Sequence, residues 1–239
     1  MHYLILAGGN GSRLANDGVS IPKPLVELDG KPMIGRLIDI FDSLGAESIT
    51  VVLNFTMEMV FDYLYEKQSY VGQLRIVPVS TTSPLISLAL GSLAISPGEK
   101  IIAVTVDSVF QETEFAAFVT RFESSNTGAL MGVTDFLDDE KALFLTVSPD
   151  GAVTGFHDNY PSCETSLLRV VSGGVYGLSV HARRQAEHLA RERHDCRLRD
   201  FQRSLLRSGY SVEAFPLGTV VDVDRVTDLQ TARKIFNRP

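Results

Sequence analysis

The residues that decide the fold are His2-Tyr3-Leu4-Ile5-Leu6-Ala7-Gly8-Gly9-Asn10-Gly11-Ser12-Arg13. A short apolar run that stops abruptly at glycines reads as a buried strand leaving the sheet through a tight turn. Glycines at that point let the backbone approach a bound anion, because no Cβ stands in the way. The loop is not a Walker A motif, since Lys and Ser/Thr do not follow its last glycine. Nor is it the dinucleotide fingerprint, because Leu14 stands where the third glycine belongs.

The same rhythm continues outward. Runs at 48–53, 74–79 and 101–106 read as further buried strands, and 32–44, 57–68, 84–95 and 112–124 read as helices between them. The segment 32–44 is the clearest helix. Met33, Ile34, Leu37, Ile38, Phe41 and Leu44 recur at helical spacing, Pro32 opens it and Gly45 closes it. Strand–helix alternation of this kind predicts a parallel sheet with helices on both faces and right-handed crossovers. The second half reads differently: strands at 127–135, 142–148 and 152–157, the last two a hairpin turned by Pro149-Asp150-Gly151, then a strand at 167–178. Helices at 180–193 and 197–207, strands at 211–215 and 218–222, and a helix at 225–236 complete the reading. The expected fold is a three-layer α/β/α, Rossmann-like domain over 1–239, with a mostly parallel central sheet and a small β-rich insertion.

Composition narrows the function. The 239 residues carry 22 Lys and Arg against 29 Asp and Glu, a formal charge of -7, which argues against a protein that coats nucleic acid. No apolar run is long enough to span a bilayer. The opening residues are too few for a signal peptide, and the two cysteines, Cys163 and Cys196, make no disulfide scaffold or zinc pattern. A reduced cytoplasm is the expected setting, and the composition fits monomer or homodimer equally. The arginine-rich stretch 183–207 reads either as two solvated amphipathic helices or as a phosphate-binding face.

Ten residues beyond the glycine loop stands Pro22-Lys23-Pro24-Leu25. Two prolines stiffen the segment that presents one lysine. The polar stretch 15–20 lets that lysine fold back over the loop. Arg13 and Lys23 converging on backbone amides suit a triphosphate.

Taken with Gly30-Lys31-Pro32-Met33-Ile34, these motifs resemble, in order, those of the sugar-phosphate nucleotidyltransferases of the nucleotide-diphospho-sugar transferase superfamily. The resemblance implies an enzyme joining a nucleoside triphosphate to a phosphorylated small-molecule acceptor, most often a sugar 1-phosphate, with loss of pyrophosphate. It implies that 1–126 binds the nucleotide and 127–239 the acceptor. Leu6, Ala7, Gly8, Gly9, Asn10, Gly11 and Ser12 would cradle the nucleotide, Arg13 would hold the pyrophosphate and Lys23 the α-phosphate. Thr82 and Ser83 would meet base or ribose, although small hydroxyls before a helix are also ordinary caps. Gly173, Gly174 and Tyr176, in Ser172-Gly173-Gly174-Val175-Tyr176, would line the acceptor site, where a β-bulge is the alternative.

A bridging Mg2+ needs oxygen ligands, usually one or two carboxylates plus phosphate. Asp107 ends a buried strand, where folds of this type bind ligands. Asp222 and Asp224 alternate on an expected strand and so face one side. The resemblance makes Asp107 and one or both of Asp222 and Asp224, with Asp224 favoured, the metal ligands, and Arg13, Lys23 and Asp107 the catalytic set. One departure matters: the family's acceptor-phosphate lysine is missing from Phe156-His157-Asp158-Asn159-Tyr160-Pro161. His157, Arg169 or an arginine from the helical region stands in for it, or the acceptor differs. Phosphocholine and molybdopterin remain alternative acceptors, and a non-catalytic nucleotide-sugar-binding regulator is the alternative from another class.

Overall fold

The computed structural model describes residues 1–68, 73–81, 83–136, 142–160, 168–193 and 195–236. Strand β1 (His2–Ala7) buries Tyr3, Ile5 and Ala7 on one face of the sheet and Leu4 and Leu6 on the other. A five-residue helix, α1 (Ser12–Asn16), follows the glycine loop, and Lys23–Leu25 form a 3-10 turn. A small hairpin, β2 (Glu27–Leu28) with β3 (Lys31–Pro32), leads into α2 (Met33–Ser43). Leu37, Ile38 and Phe41 of α2 are wholly buried, and such side chains are worth about 1.5–3 kcal/mol each.

Next come β4 (Ser48–Leu53), α3 (Glu58–Gln68), β5 (Leu74–Pro78) and α4 (Pro84–Leu93). They are followed by β6 (Ile101–Thr105), the two-residue β7 (Ser108–Val109) and α5 (Glu112–Ser124). Strands β6, β1, β4 and β5 lie side by side and parallel, with Tyr3 opposite Ile49 and Ile102. The second half adds β8 (Ala129–Thr134), β9 (Phe144–Val147), β10 (Val153–His157) and the long β11 (Leu168–Leu178). Helices α6 (Val180–Glu192) and α7 (Leu198–Arg207), strand β12 (Val212–Pro216), β13 (Val221–Asp222) and α8 (Val226–Phe236) complete the chain.

Strand β11 joins the two halves. Its later residues pair antiparallel with β6 on one side, Val175 opposite Val104, and with β8 on the other, Tyr176 opposite Met131. Its earlier residues pair with β9 of the β9–β10 hairpin. Strand β12 then pairs parallel with β8. The central sheet is therefore mostly parallel with added antiparallel strands, as expected. Helices α2, α3 and α5 bring Phe41, Leu64, Phe115 and Phe118 to one face, and α4, α6 and α7 bring Leu88, Ala186, Phe201 and Leu205 to the other.

Two expectations differ. The residues read as strand 218–222 form only the two-residue β13, which pairs with β7 apart from the main sheet, Asp222 opposite Ser108. Asp224 lies beyond it in a turn, so strand alternation does not relate the two aspartates. Helix α1 and the β2–β3 hairpin have no periodic signal, being too short to show one.

Candidate active site

The glycine loop leaves β1 at the carboxyl end of the parallel strands. Gly11 has φ 60 and caps α1, and a Cβ there would lie 2.8 Å from the Lys23 Cβ. Backbone conformation and close approach both demand glycine, so the loop packs directly on the Pro22-Lys23-Pro24 segment. Lys23 is only 7% exposed. Its Nζ donates to Asp107 Oδ2 and to Asp224 Oδ1, each at 2.5 Å, and Arg13 Nη1 donates to the other oxygen of Asp224. Four charged groups from distant chain positions thus meet.

Burial alone would pull the Lys23 ammonium toward neutrality, but Asp107, Asp222 and Asp224 together outweigh it and raise its pKa. Burial opposes the Asp107 charge as well, and there the Lys23 ammonium, with its hydrogen bond, prevails and lowers the carboxyl's pKa. The Asp224 turn is held from behind: Asp228 Oδ2 accepts from the backbone amides of Asp224 at 3.0 Å and Arg225 at 2.7 Å.

Two cavities open on this cluster. The first, about 420 Å³, is lined by Leu6, the loop from Gly8 to Arg13, Lys23, Ser87 and Asp224. Ala7 is fully buried in the core and does not line it, and Thr82 lies outside the described residues. The second, about 460 Å³, is lined by Ser172, Gly173, Gly174, Tyr176 and Asp222 among others. Asp107, Ser83, Pro84 and Thr105 line both. Gly174, at φ 72, lies against Ser108 and Thr105, whose hydroxyls would stand 2.0 and 2.4 Å from an added Cβ. Ser83 caps α4 and donates its Oγ to the Cys196 carbonyl at 2.8 Å, tying the shared wall to the residues before α7.

The arginine-rich stretch is not uniform, and Arg183 fits neither expected role, being buried rather than solvated or turned to a phosphate. Arg183 is 3% exposed and its guanidinium donates to the carbonyls of Ser92, Ile95, Ser96 and Glu99, closing the end of α4. Arg197 and Arg199 line the second cavity. Arg199 also pairs with Asp158 at 2.5 Å, and Arg203 reaches the other oxygen of Asp158 at 2.7 Å. His157 bonds Thr146 within the β9–β10 hairpin and does not line the cavity.

A family model for the MobA-like NTP transferase domain matches residues 3–207. The chain belongs to this family. A mannose-1-phosphate guanyltransferase of Schizosaccharomyces pombe is 36% identical over 195 residues, covering 75% of this chain and 50% of that protein. The chain spans about half the length of the curated relatives it matches. Among solved structures, the inositol-1-phosphate CTP transferase of T. maritima superimposes with TM-score 0.76 at 17% identity, over 98% of this chain and 96% of that one. HddC of Yersinia pseudotuberculosis, complexed with GMP-PN, gives 0.75 at 20% identity, over 99% and 100%. At such identities the likeness is one of fold.

Among the cavity-lining residues, sequence reading did not single out Thr105, Ser108 or Gln202, and it flagged the stretch that holds Arg197 and Arg199 without naming either. Thr105 and Ser108 flank Asp107, where the signal was available: small hydroxyls opposite a Gly-Gly pair. The α7 residues carry no local signal, because only the tertiary fold brings that helix to the carboxyl ends of the strands. Among the described residues no three His, Cys, Asp or Glu side chains converge as a self-sufficient metal site. The donor set that does converge is the Asp107 and Asp224 pair, two carboxylates gathered about one cation. Also among the described residues, no helix is long and apolar enough to cross a membrane.

Proposed function

We propose that this MobA-like domain transfers a nucleotidyl group from a nucleoside triphosphate to a phosphorylated acceptor, a sugar 1-phosphate, and releases pyrophosphate. The observation that supports this best is the meeting of two cavities at Asp107, with Lys23 on one side and Arg197 and Arg199 on the other. Each cavity is large enough for part of a two-substrate reaction, and the shared wall is where two phosphates would touch. The name of the 36% identical relative points to the same acceptor class.

In this reading residues 1–126 bind the nucleotide and 127–239 the acceptor. The Gly8–Ser12 amides cradle the triphosphate, Arg13 holds the departing pyrophosphate, and Lys23 meets the α-phosphate. An acceptor phosphate oxygen attacks the α-phosphorus in line. The bond from that phosphorus to the bridging oxygen breaks, and the electron pair leaves with pyrophosphate. No covalent nucleophile is needed, so positioning and positive charge carry the rate. Lys23 and Arg13 exchange their carboxylate partners for phosphate oxygens as the nucleotide enters.

Asp107 and Asp224 fit Mg2+ in kind and number, since this ion takes one or two carboxylates and completes its shell with phosphate and water. Bound there, it supplies positive charge to the phosphate oxygens. Asp224 is the proposed partner of Asp107, because both reach the same ammonium, whereas Asp222 lines the acceptor cavity. Arg197 and Arg199 take the place of the missing lysine. Gly173, Gly174 and Tyr176 present the floor on which the acceptor rests, and Ser83 faces the nucleotide.

The test is pyrophosphate release with Mg2+ across four nucleoside triphosphates, each offered sugar 1-phosphates and phosphocholine. Release that depends on one sugar 1-phosphate is expected. Release that depends only on phosphocholine, or nucleotide binding without turnover on any acceptor, would refute the reading.

A further inference from the structure

The second cavity contains a polar side chain that the preceding reading leaves without a task. Gln202, on α7, is 2% exposed, yet it lines the cavity. A carboxamide offers two N–H donors and an oxygen acceptor. Among the described residues its side-chain partners are Ser172 Oγ, at 3.5 Å, and the Tyr176 phenol. Ser172 Oγ in turn lies 3.3 Å from Tyr176 Oη. Buried amides are ordinarily well bonded, and one that is not is held ready for a ligand or carries a standing penalty. With its N–H groups turned to Ser172 and Tyr176, the Gln202 oxygen accepts from no partner among the described residues, in a cavity that Asp107 and Asp222 also line.

Helical spacing adds a distance. Arg199 and Gln202 are three residues apart, and Leu198 and Gln202 four apart, so all three stand on one face of α7, and all three line the cavity. A phosphate met by Arg199 therefore places the first carbons of its acceptor beside Gln202. Leu198, Leu143 and Val171 add apolar surface to the same cavity. A group that both donates and accepts satisfies a carboxamide best, and on a sugar phosphate that group is a hydroxyl.

We propose that Gln202, backed by Ser172 and Tyr176, is the specificity-determining residue that reads an acceptor hydroxyl close to the phosphate-bearing carbon. The proposal rests on the nucleotidyltransferase reading above and adds the chemistry that selects among acceptors. A site built to bond a hydroxyl rejects the analogue that lacks it, because its own buried amide is then left unpaired.

The experiment uses mannose 1-phosphate and glucose 1-phosphate, each with its 2-, 3- and 4-deoxy analogues, across the four nucleoside triphosphates with Mg2+. Wild-type protein should lose on the order of 10–100-fold in kcat/KM on one deoxy analogue. Gln202→Leu should lose a similar factor on the parent acceptor and nothing further on that analogue, so discrimination collapses toward unity. Melting temperature and nucleotide affinity should stay at wild-type values, and Gln202→Met repeats the comparison should the leucine variant fold poorly. Equal losses on parent and analogues, or no loss at all, would overturn the assignment while leaving the transferase reading intact. Absence of turnover on every sugar phosphate by wild-type protein would overturn the transferase reading and this assignment with it.

Discussion

Lys23→Met tests the charge cluster most directly. Methionine keeps most of the stem that packs against Gly11 and removes only the ammonium, leaving Asp107 and Asp224 facing each other. Breaking a buried pair by deleting one partner costs about 3–5 kcal/mol. Here Asp107 and Asp224 keep 21% and 30% of their side-chain surface and Arg13 still pairs with Asp224, which lowers the expected loss to about 2–4 kcal/mol. For a chain this long each kcal/mol moves the midpoint by about 2–4 °C, so Tm should fall by roughly 5–15 °C. The assay is calorimetric unfolding without nucleotide, repeated over a Mg2+ titration. Two carboxylates relieved of their ammonium should gain a divalent cation more readily, so Mg2+ should raise the Tm of the variant more than that of the wild type. A variant that melts within 2 °C of wild type, or gains no more from Mg2+, would refute the view that these carboxylates form a cation site completed by Lys23.

Three other outcomes are expected. The Asp107 carboxyl sits below its ordinary value near 3.8, so its stabilising contribution is present above that pH and fades as pH falls through the folded value; Asp107→Asn should flatten the acid limb of a stability–pH curve. Gly174→Ala combines a left-handed backbone with a Cβ 2.0 Å from the Ser108 hydroxyl, and denaturant unfolding should show a loss of about 2–5 kcal/mol; a loss under 1 kcal/mol would mean the bend relaxes freely. Asp158→Asn removes the anion held by Arg203 and Arg199, so the acceptor KM should fall about two- to fivefold at low salt and converge with wild type at high salt. An unchanged or raised KM would make Asp158 a positioning residue for Arg199 instead.

The strands and long helices were legible because burial on a sheet imposes patterns that survive in one dimension. Tyr3 to Ala7 and Met33 to Phe41 could not be buried on a solvent-exposed coil. The glycine loop and Lys23 were legible for another reason: Gly11 and Lys23 are near neighbours in sequence and touch in space. Which arginine of the stretch lines the cavity, the placement of Gln202, and the separation of Asp222 and Asp224 into different cavities were not legible. Their positions depend on where α7 and β13 dock against elements a hundred residues earlier, and β13 is two residues long, so a periodicity of two had nothing to act on. Arg183 shows the same limit in reverse, since nothing in an arginine-rich helix distinguishes the one guanidinium that is 3% exposed and bonded to the end of α4.

Strand β11 bears on how this fold could be rebuilt. It comes from the later half of the chain yet lies between β6 and β8, hydrogen-bonded to both. The strands behind the two cavities thus belong to one continuous hydrogen-bonded sheet. A chimaera that kept residues 1–126 and borrowed a foreign second half would have to reproduce the register of Val175 against Val104 before any side chain could be chosen. Modularity in this architecture is limited by the backbone, and on the proposed reading acceptor preference is more readily exchanged on the cavity-lining face of α7 than by recombining halves.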